Sequence, residues 1–337
     1  MTAAKPDLPE TPPPRLSVVA PCFNEAEGLT EFCCRVVEAC EAVVGASYEI
    51  VLVNDGSRDA TWQVMQEIAQ VLPPLVAINL SRNYGHQIAL TAGLHAARGE
   101  RILIIDADLQ DPPELLGAMM ALMDQGAEIV YGQRRKREGE TLFKSWTAAL
   151  FYRLLRRLVD IDIPLDTGDF RLMSRRALDV LNSMGEQFRF IRGMVSWMGL
   201  RQVPIAYDRH PRFAGATGYS LGKMMRLAFD AITGFSIRPL RLASYLGLAM
   251  GCGSIAMIAY TLISWATQSA IAGWTSLTTI VLAIGSTQLL VLGVFGEYLG
   301  RMYVETKGRP LYVVDTAITG TKQTQHGEAG APRRIAA

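Results

Sequence analysis

From Leu242 to Gly296 the chain contains no Asp, Glu, Lys or Arg. A membrane span needs about 20 apolar residues, so this run can hold two. The expected spans are 242–266 and 277–296, joined by a loop, "TQSAIAGWTS", without Lys or Arg. Arg238 and Arg241 precede the first span, and Arg301, Lys307 and Arg309 follow the second. Basic residues stay on the cytoplasmic side, so both outer ends and everything before them are expected there, with the membrane crossed more than once. The competing reading, a helical hairpin buried in a soluble protein, must hide 55 consecutive uncharged residues.

The N-terminal part is of another kind. "LSVVAP" (16–21), "YEIVLVN" (48–54), "LVAINL" (75–80), "RILIID" (101–106) and "AEIVYG" (127–132) read as strands, and 27–43, 59–71, 86–97 and 113–124 as helices. Alternating strands and helices with short links give an α/β fold: a Rossmann-like, mainly parallel sheet flanked by helices. In such sheets ligands bind beyond the carboxyl ends of the strands. Polar residues collect there: Asn24 and Glu25 after the first strand, Asn54 and Asp55 after the second, Asp106 and Asp108 after the fourth.

The expected organisation is a disordered lead-in (1–14), a catalytic domain (15–218), an amphipathic juxtamembrane helix (219–241), the two-helix hairpin (242–296), and a C-terminal strand and disordered tail (297–337). A further amphipathic helix is expected over 141–160, against the domain or on an anionic membrane surface. "GRPLYVV" (308–314) reads as a short strand able to pair with another subunit.

Composition excludes more than it assigns. A net charge of +1 gives no argument for nucleic acid. Five cysteines without paired spacing suit a reducing compartment, and none of the four histidines has the spacing of a metal site. "CFNEAEG" after the first strand is neither a dinucleotide fingerprint nor a P-loop. Phosphates bound there would need a metal.

"DADLQDPPE" is the most informative stretch. Were the strand to continue, Asp106 and Asp108 would share a face, and two such carboxylates repel unless a cation joins them. Oxygen ligands suit Mg²⁺ or Mn²⁺. Asp111 reads instead as a helix N-cap ahead of Pro112 and Pro113, with Glu114 in the first turn.

"VVAPCFNEAEGL", "VNDGSRDAT", "LSRNYGHQIALTAGLHAARGE", "DADLQDPPE" and "TGDFRLMSRRAL" together resemble the inverting glycosyltransferases of family 2, which have the GT-A fold. The resemblance covers roughly 15 to 315. It is strongest to the branch that transfers a sugar to a polyprenyl phosphate, which includes dolichol-phosphate mannose synthase and the bactoprenol glucosyltransferases. "GVFGEYLGRMYVETKGRPLY" resembles the bactoprenol enzymes in particular.

The resemblance implies a nucleotide-sugar donor, UDP-linked, a polyprenyl phosphate acceptor such as undecaprenyl phosphate, Mg²⁺ or Mn²⁺, a lipid bilayer, and a homo-oligomer, with a tetramer plausible. It implies that Pro21, Asn24, Glu25 and Asp55 hold the nucleoside. Asp106, Asp108 and Gln110 would take metal and diphosphate, with Asp108 foremost, and Asp169 would stand at the acceptor. Because a phosphate monoester is largely ionised at pH 7, Asp169 is expected to orient more than to abstract a proton. Arg134, Arg171, Arg212 and Lys223 are the candidate cations for the anionic groups. "HPRFAGATGYSLGK" (210–223) resembles a mobile acceptor loop, with Arg212 and Ser220 at phosphate-contacting positions. Ala216 departs from the charged residue usual there. Arg171 alternatively reads as a surface ion pair, and Asp55-Gly56-Ser57 as a plain turn. Two other classes stay open on residues alone: a membrane-anchored nucleotidyltransferase and a non-catalytic scaffold.

Overall fold

A computed structural model describes residues 12–135, 167–208, 238–266 and 274–320. The helix expected over 141–160, most of the juxtamembrane segment 219–241, Arg212, Ser220 and Lys223 lie outside the described residues, as do most of the N-terminal lead-in and the tail.

The strands are β1 (Leu16–Cys22), β2 (Tyr48–Asn54), β3 (Leu75–Leu80), β4 (Arg101–Ile104), β5 (Ile129–Arg134), β6 (Thr167–Ser174), β7 (Gln202–Tyr207) and β8 (Val314–Thr319). The helices are α1 (Leu29–Val44), α2 (Thr61–Val71), α3 (His86–Ala96), α4 (Leu116–Asp124), α5 (Arg175–Ser183), α6 (Ile191–Trp197), α7 (Arg238–Ala266) and α8 (Trp274–Thr306). A single 3₁₀ turn, Pro113–Leu115, leads into α4.

The eight strands form one sheet in the order β7-β5-β6-β4-β1-β2-β3-β8. β1 to β4 run parallel, and β5 is parallel to β7. β6 and β8 run against their neighbours. The sheet is therefore mixed, mostly parallel and helix-covered.

Every residue of β1 and β2 is buried. Both faces are covered, so these strands read as continuous apolar runs rather than alternating ones. Successive side chains still point to opposite faces and build two cores. Val18, Ala20 and Leu52 pack with Phe32, Val36 and Met119. Val19, Val51 and Val53 pack with Leu90, Leu94 and Leu178. On that second face Gly93 lets α3 close on β1, because a Cβ there would stand 2.5 Å from Val19 Cγ1.

Three expectations need correction. β4 stops at Ile104, two residues short of Asp106, so Asp106 and Asp108 do not share the face of a strand. The chain instead turns through Leu109, whose φ is +60°. The C-terminal strand is Val314–Thr319, not 308–314, and it pairs antiparallel with β3 of its own chain. Tyr312 anchors its approach, buried and with its hydroxyl 2.9 Å from His95 Nδ1. β8 is the last strand of the sheet, paired with β3 along one of its two edges. Of the two expected spans, Leu240–Met257 in α7 is the one stretch among the described residues with the length and apolarity to cross a membrane. The second, 277–296, is helical throughout within α8, which packs against α7. Leu242, Tyr245, Leu248, Val281, Leu289 and Leu292 on the two helices are exposed.

Candidate active site

The carboxyl ends of β1, β2 and β4 meet the amino end of β6. The β1–α1 loop is stitched to the β2–α2 loop by side chains acting on backbone. Asn24, at φ +57°, donates its N–H to Ser57 Oγ at 3.0 Å and accepts the Arg58 N–H at 2.9 Å through Oδ1. Asn tolerates this left-handed conformation because its side chain bonds locally. The Glu25 N–H donates to Thr61 Oγ1 at 2.9 Å. Pro21 lies at the end of β1 in register with Val53.

Asp55 is 2% exposed and accepts the Tyr84 N–H at 2.7 Å and the Gly85 N–H at 2.9 Å. It fixes the entry to α3, and with it the position of His86. The turn is more than a plain one: Gly56 has φ +62°, and a Cβ there would stand 2.5 Å from the Arg82 carbonyl carbon. Burial pushes the Asp55 carboxyl up from its ordinary range, against the two backbone donors that favour its charge.

Beyond β4, Asp108 is buried and turns back to accept the Gln110 N–H at 3.2 Å. Gln110 is buried beside it. Asp111 is not a helix cap. It is 1% exposed and accepts a hydrogen bond from the Tyr207 hydroxyl. Pro112 occupies the cap position, without a side-chain bond. Glu114 also has another task, a bidentate pair with Arg35, whose Nε donates to Oε1 at 2.9 Å and Nη2 to Oε2 at 3.0 Å.

Asp106 Oδ1 is buried with no hydrogen-bond partner among the described residues. Its nearest cation is His86 Nε2 at 3.5 Å. Burial raises the Asp106 pKa to about 6, helped by the charges of Asp169, Asp111 and Asp108 and opposed by His86. An orphaned carboxylate oxygen in a crowd of like charges calls for a cation.

The residues present fit a divalent ion. Among the described residues no three His, Cys, Asp or Glu side chains form a cage. Mg²⁺ is commonly held by one or two carboxylates together with substrate phosphates, so a cage is not required.

Asp169 differs in every respect. At 1% exposure it receives Gln87 Nε2 at 2.9 Å, Arg192 Nε at 2.9 Å and His86 Nε2 at 3.2 Å, with Arg171 Nη2 at 3.5 Å. Burial alone would raise its pKa. Arg192, His86 and Arg171 outweigh that and hold the carboxyl well below its ordinary range. His86 is likewise pulled down by burial, but Asp169 and Asp106 raise its pKa to about 9.

Arg171 is no surface ion pair. It is 4% exposed, donates to the Gly168 carbonyl at 3.3 Å, and burial lowers its pKa to about 10. Arg134, at the end of β5, donates to the Tyr207 hydroxyl at 3.4 Å, on the Asp111 side of the crevice.

His86, Gln87 and Arg192 were not among the residues expected. The signal available was the polar pair His86-Gln87 opening a mostly apolar helix. Arg192 has no local signature, because its partner is 23 residues away.

Comparison with known proteins adds the following. The family model described as "Glycosyl transferase family 2" matches residues 17–181. A Bacillus subtilis (strain 168) protein named "Uncharacterized glycosyltransferase YkcC" is 48% identical over 299 residues, covering 88% of this chain and 92% of the relative. The "Prophage bactoprenol glucosyl transferase homolog" of Escherichia coli (strain K12) is 37% identical over 306 residues, covering 89% and 98%. The "Bactoprenol glucosyl transferase" of Shigella phage SfV is 36% identical over 301 residues, covering 89% and 98%. Among solved structures, a mannosyltransferase from Pyrobaculum calidifontis in complex with GDP-Man and Mn²⁺ is similar at a TM-score of 0.43 and 18% identity, covering 88% of this chain and 89% of that one.

Proposed function

We infer the reaction from one premise: the chain belongs to glycosyl transferase family 2, and it is a glycosyltransferase. That membership sets aside the nucleotidyltransferase and scaffold alternatives. The proposed reaction moves a sugar, with inversion, from a UDP-linked donor to a polyprenyl phosphate such as undecaprenyl phosphate. The product is a polyprenyl-phospho-sugar for modification of the cell envelope. The names of the relatives that are bactoprenol glucosyl transferases support the acceptor.

One observation carries the reading. Two acidic residues at the same crevice, Asp106 and Asp169, have opposite surroundings: an orphaned oxygen on the first, a shell of cations on the second. The crevice thus has a half that wants a metal and diphosphate, and a half that tolerates an incoming anion.

In this account Asp106, Asp108 and Gln110 would hold Mg²⁺ or Mn²⁺. The ion, when bound, offsets the charge that develops on the departing diphosphate. Pro21, Asn24 and Glu25 form the nucleoside wall, and Asp55 shapes it by fixing residues 84–86. Arg134 serves the donor phosphates. The acceptor phosphate oxygen attacks the anomeric carbon as the bond to the diphosphate breaks, and nucleoside diphosphate leaves. Being ionised already, the acceptor needs no base. Asp169 orients the cations that receive it, Arg171 first, while Arg212, Ser220 and Lys223 are assigned to the same phosphate from their sequence alone.

The helical hairpin of α7 and α8 is proposed to anchor the enzyme in the inner membrane with the catalytic domain in the cytoplasm. α7 and α8 have 29 and 33 residues, against the roughly 20 that a bilayer core requires. The test is a panel of radiolabelled nucleotide-sugars with undecaprenyl phosphate. One donor should give a chloroform-extractable product that disappears in EDTA and returns with Mn²⁺. Transfer to water-soluble acceptors only would contradict the reading.

A further inference from the structure

We propose that Gln87 is a positioning residue: its side-chain amide fixes both the orientation of the Asp169 carboxylate and the start of α6, the helix that carries Arg192. The inference rests on the reading above, in which Asp169 works beside the reacting groups, and names the residue that sets its geometry.

The amide is committed at both ends. Its Nε2 donates to Asp169 Oδ2 at 2.9 Å, and its Oε1 accepts the Ile191 N–H at 2.9 Å. The opposite flip would set the NH₂ against a backbone N–H and the carbonyl against a carboxylate, so one orientation serves both partners. An ionised Glu here could accept but not donate, and Asn is one methylene shorter.

Both partners need what Gln87 supplies. Ile191 is the first residue of α6, so its N–H has no acceptor within the helix. Phe190, at the cap position, has no side-chain oxygen to offer. Gln87 therefore caps α6 from another helix. Asp169 takes the amide on Oδ2 and Arg192 Nε on Oδ1, the latter also at 2.9 Å. Held on each oxygen, the carboxylate cannot rotate without breaking a contact. Arg192 follows directly after the N–H that Gln87 holds. One neutral amide thus places both members of the Asp169–Arg192 pair without adding a charge.

Gln87 itself starts from a fixed point. It is the second residue of α3, whose entry Asp55 fixes through the Tyr84 and Gly85 N–H groups. The buried Thr91 donates its Oγ1 to the Gln87 carbonyl at 2.8 Å. Supporting contacts of this kind keep a working side chain within its productive geometry.

The test compares Gln87→Met with Gln87→Glu in the full-length enzyme in detergent, with the active nucleotide-sugar and a soluble short-chain polyprenyl phosphate. Gln87→Met loses both hydrogen bonds, and kcat should fall about tenfold or more, as misplacement of a working group predicts. The donor KM should stay within about twofold, and hydrogen exchange over α6 should quicken. Gln87→Glu can replace the amide only when protonated, its O–H donating to Asp169 and its carbonyl accepting from Ile191. Its kcat relative to wild type should therefore climb about threefold or more from pH 8 to pH 6, because the facing carboxylate raises the pH at which it takes a proton. The Gln87→Met ratio should stay level over the same range. A residue that only filled space would give no such difference between the two variants. Wild-type kcat in Gln87→Met, or the same pH dependence in both variants, would overturn the proposal. Wild-type turnover by Asp169→Asn would instead overturn the reading of Asp169, and this inference with it.

Discussion

His86 Nε2 lies 3.5 Å from Asp106 Oδ1 and 3.2 Å from Asp169 Oδ2, joining two carboxylates from neighbouring antiparallel strands' ends. The last β4–β6 ladder pair is Ile104 with Arg171, and the same register carried on two residues sets Asp106 opposite Asp169. The Asp106 and Asp169 sides of the crevice therefore follow from adjacent strands, which brings their charges within reach of one imidazole.

Replacing Asp106 by Asn removes a charge held among Asp169, Asp111 and Asp108. Without metal at pH 8, the melting temperature should rise by about 2 °C or more. Mn²⁺ should stabilise the wild type, by preferential binding to the folded state, and leave the variant nearly unmoved. Equal stabilisation of both by Mn²⁺ would show that Asp106 does not hold the ion.

Asp169→Asn should reduce turnover by about a hundredfold or more, a loss of the size seen when charge-placing groups are removed. Raising the assay pH should not restore it, since the wild-type carboxyl is already ionised well below neutral pH. Recovery at high pH would indicate that a proton-abstracting base is needed.

Gly56→Ala tests the loop framework. With φ +62° and backbone 2.5 Å from the new Cβ, the substitution should cost about 2 kcal/mol or more in denaturant unfolding. The donor KM should rise with it, because the displaced residues Arg82 and Asn83 lead directly into Tyr84 and Gly85, which Asp55 fixes. A neutral Gly56→Ala would mean that the loop yields freely.

Burial, with the Arg189 charge, lowers the His95 pKa to about 4. A free histidine titrates near 6.5, so between those values the unfolded chain binds a proton that the folded chain refuses. This contribution to stability is complete above about pH 6.5 and is lost as pH falls towards 4. Because His95 meets Tyr312, the protection of β8 amides relative to their intrinsic exchange rates should fall as pH drops through that window. His95→Gln should flatten the pH dependence, and an unchanged profile would rule His95 out as its source.

The parallel part of the fold was readable because its strands are continuous apolar runs and its helices repeat regularly. β6 was not, since "TGDFRLMS" mixes charge with apolar residues: Asp169 and Arg171 are buried only because they pair with each other and with distant residues. β4 reads as too long because Ile105 remains buried after the ladder has ended. Asp111 followed by two prolines has the pattern of a helix cap, but Tyr207, arriving from the far edge of the sheet, gives it another partner. The Asp106–Asp111 cluster was legible as a local run of residues. The surroundings of Asp169 draw on α3, β6 and α6, and no short motif contains them.

The central claim is that the nucleophile is a phosphate monoester attacking the sugar. It is tested most directly by ³¹P NMR of the lipid product formed from nucleotide-sugar and polyprenyl phosphate. The account predicts that the monoester resonance is replaced by one uncoupled phosphodiester resonance, with free nucleoside diphosphate released. A pair of coupled pyrophosphate resonances on the lipid, with release of nucleoside monophosphate, would contradict it.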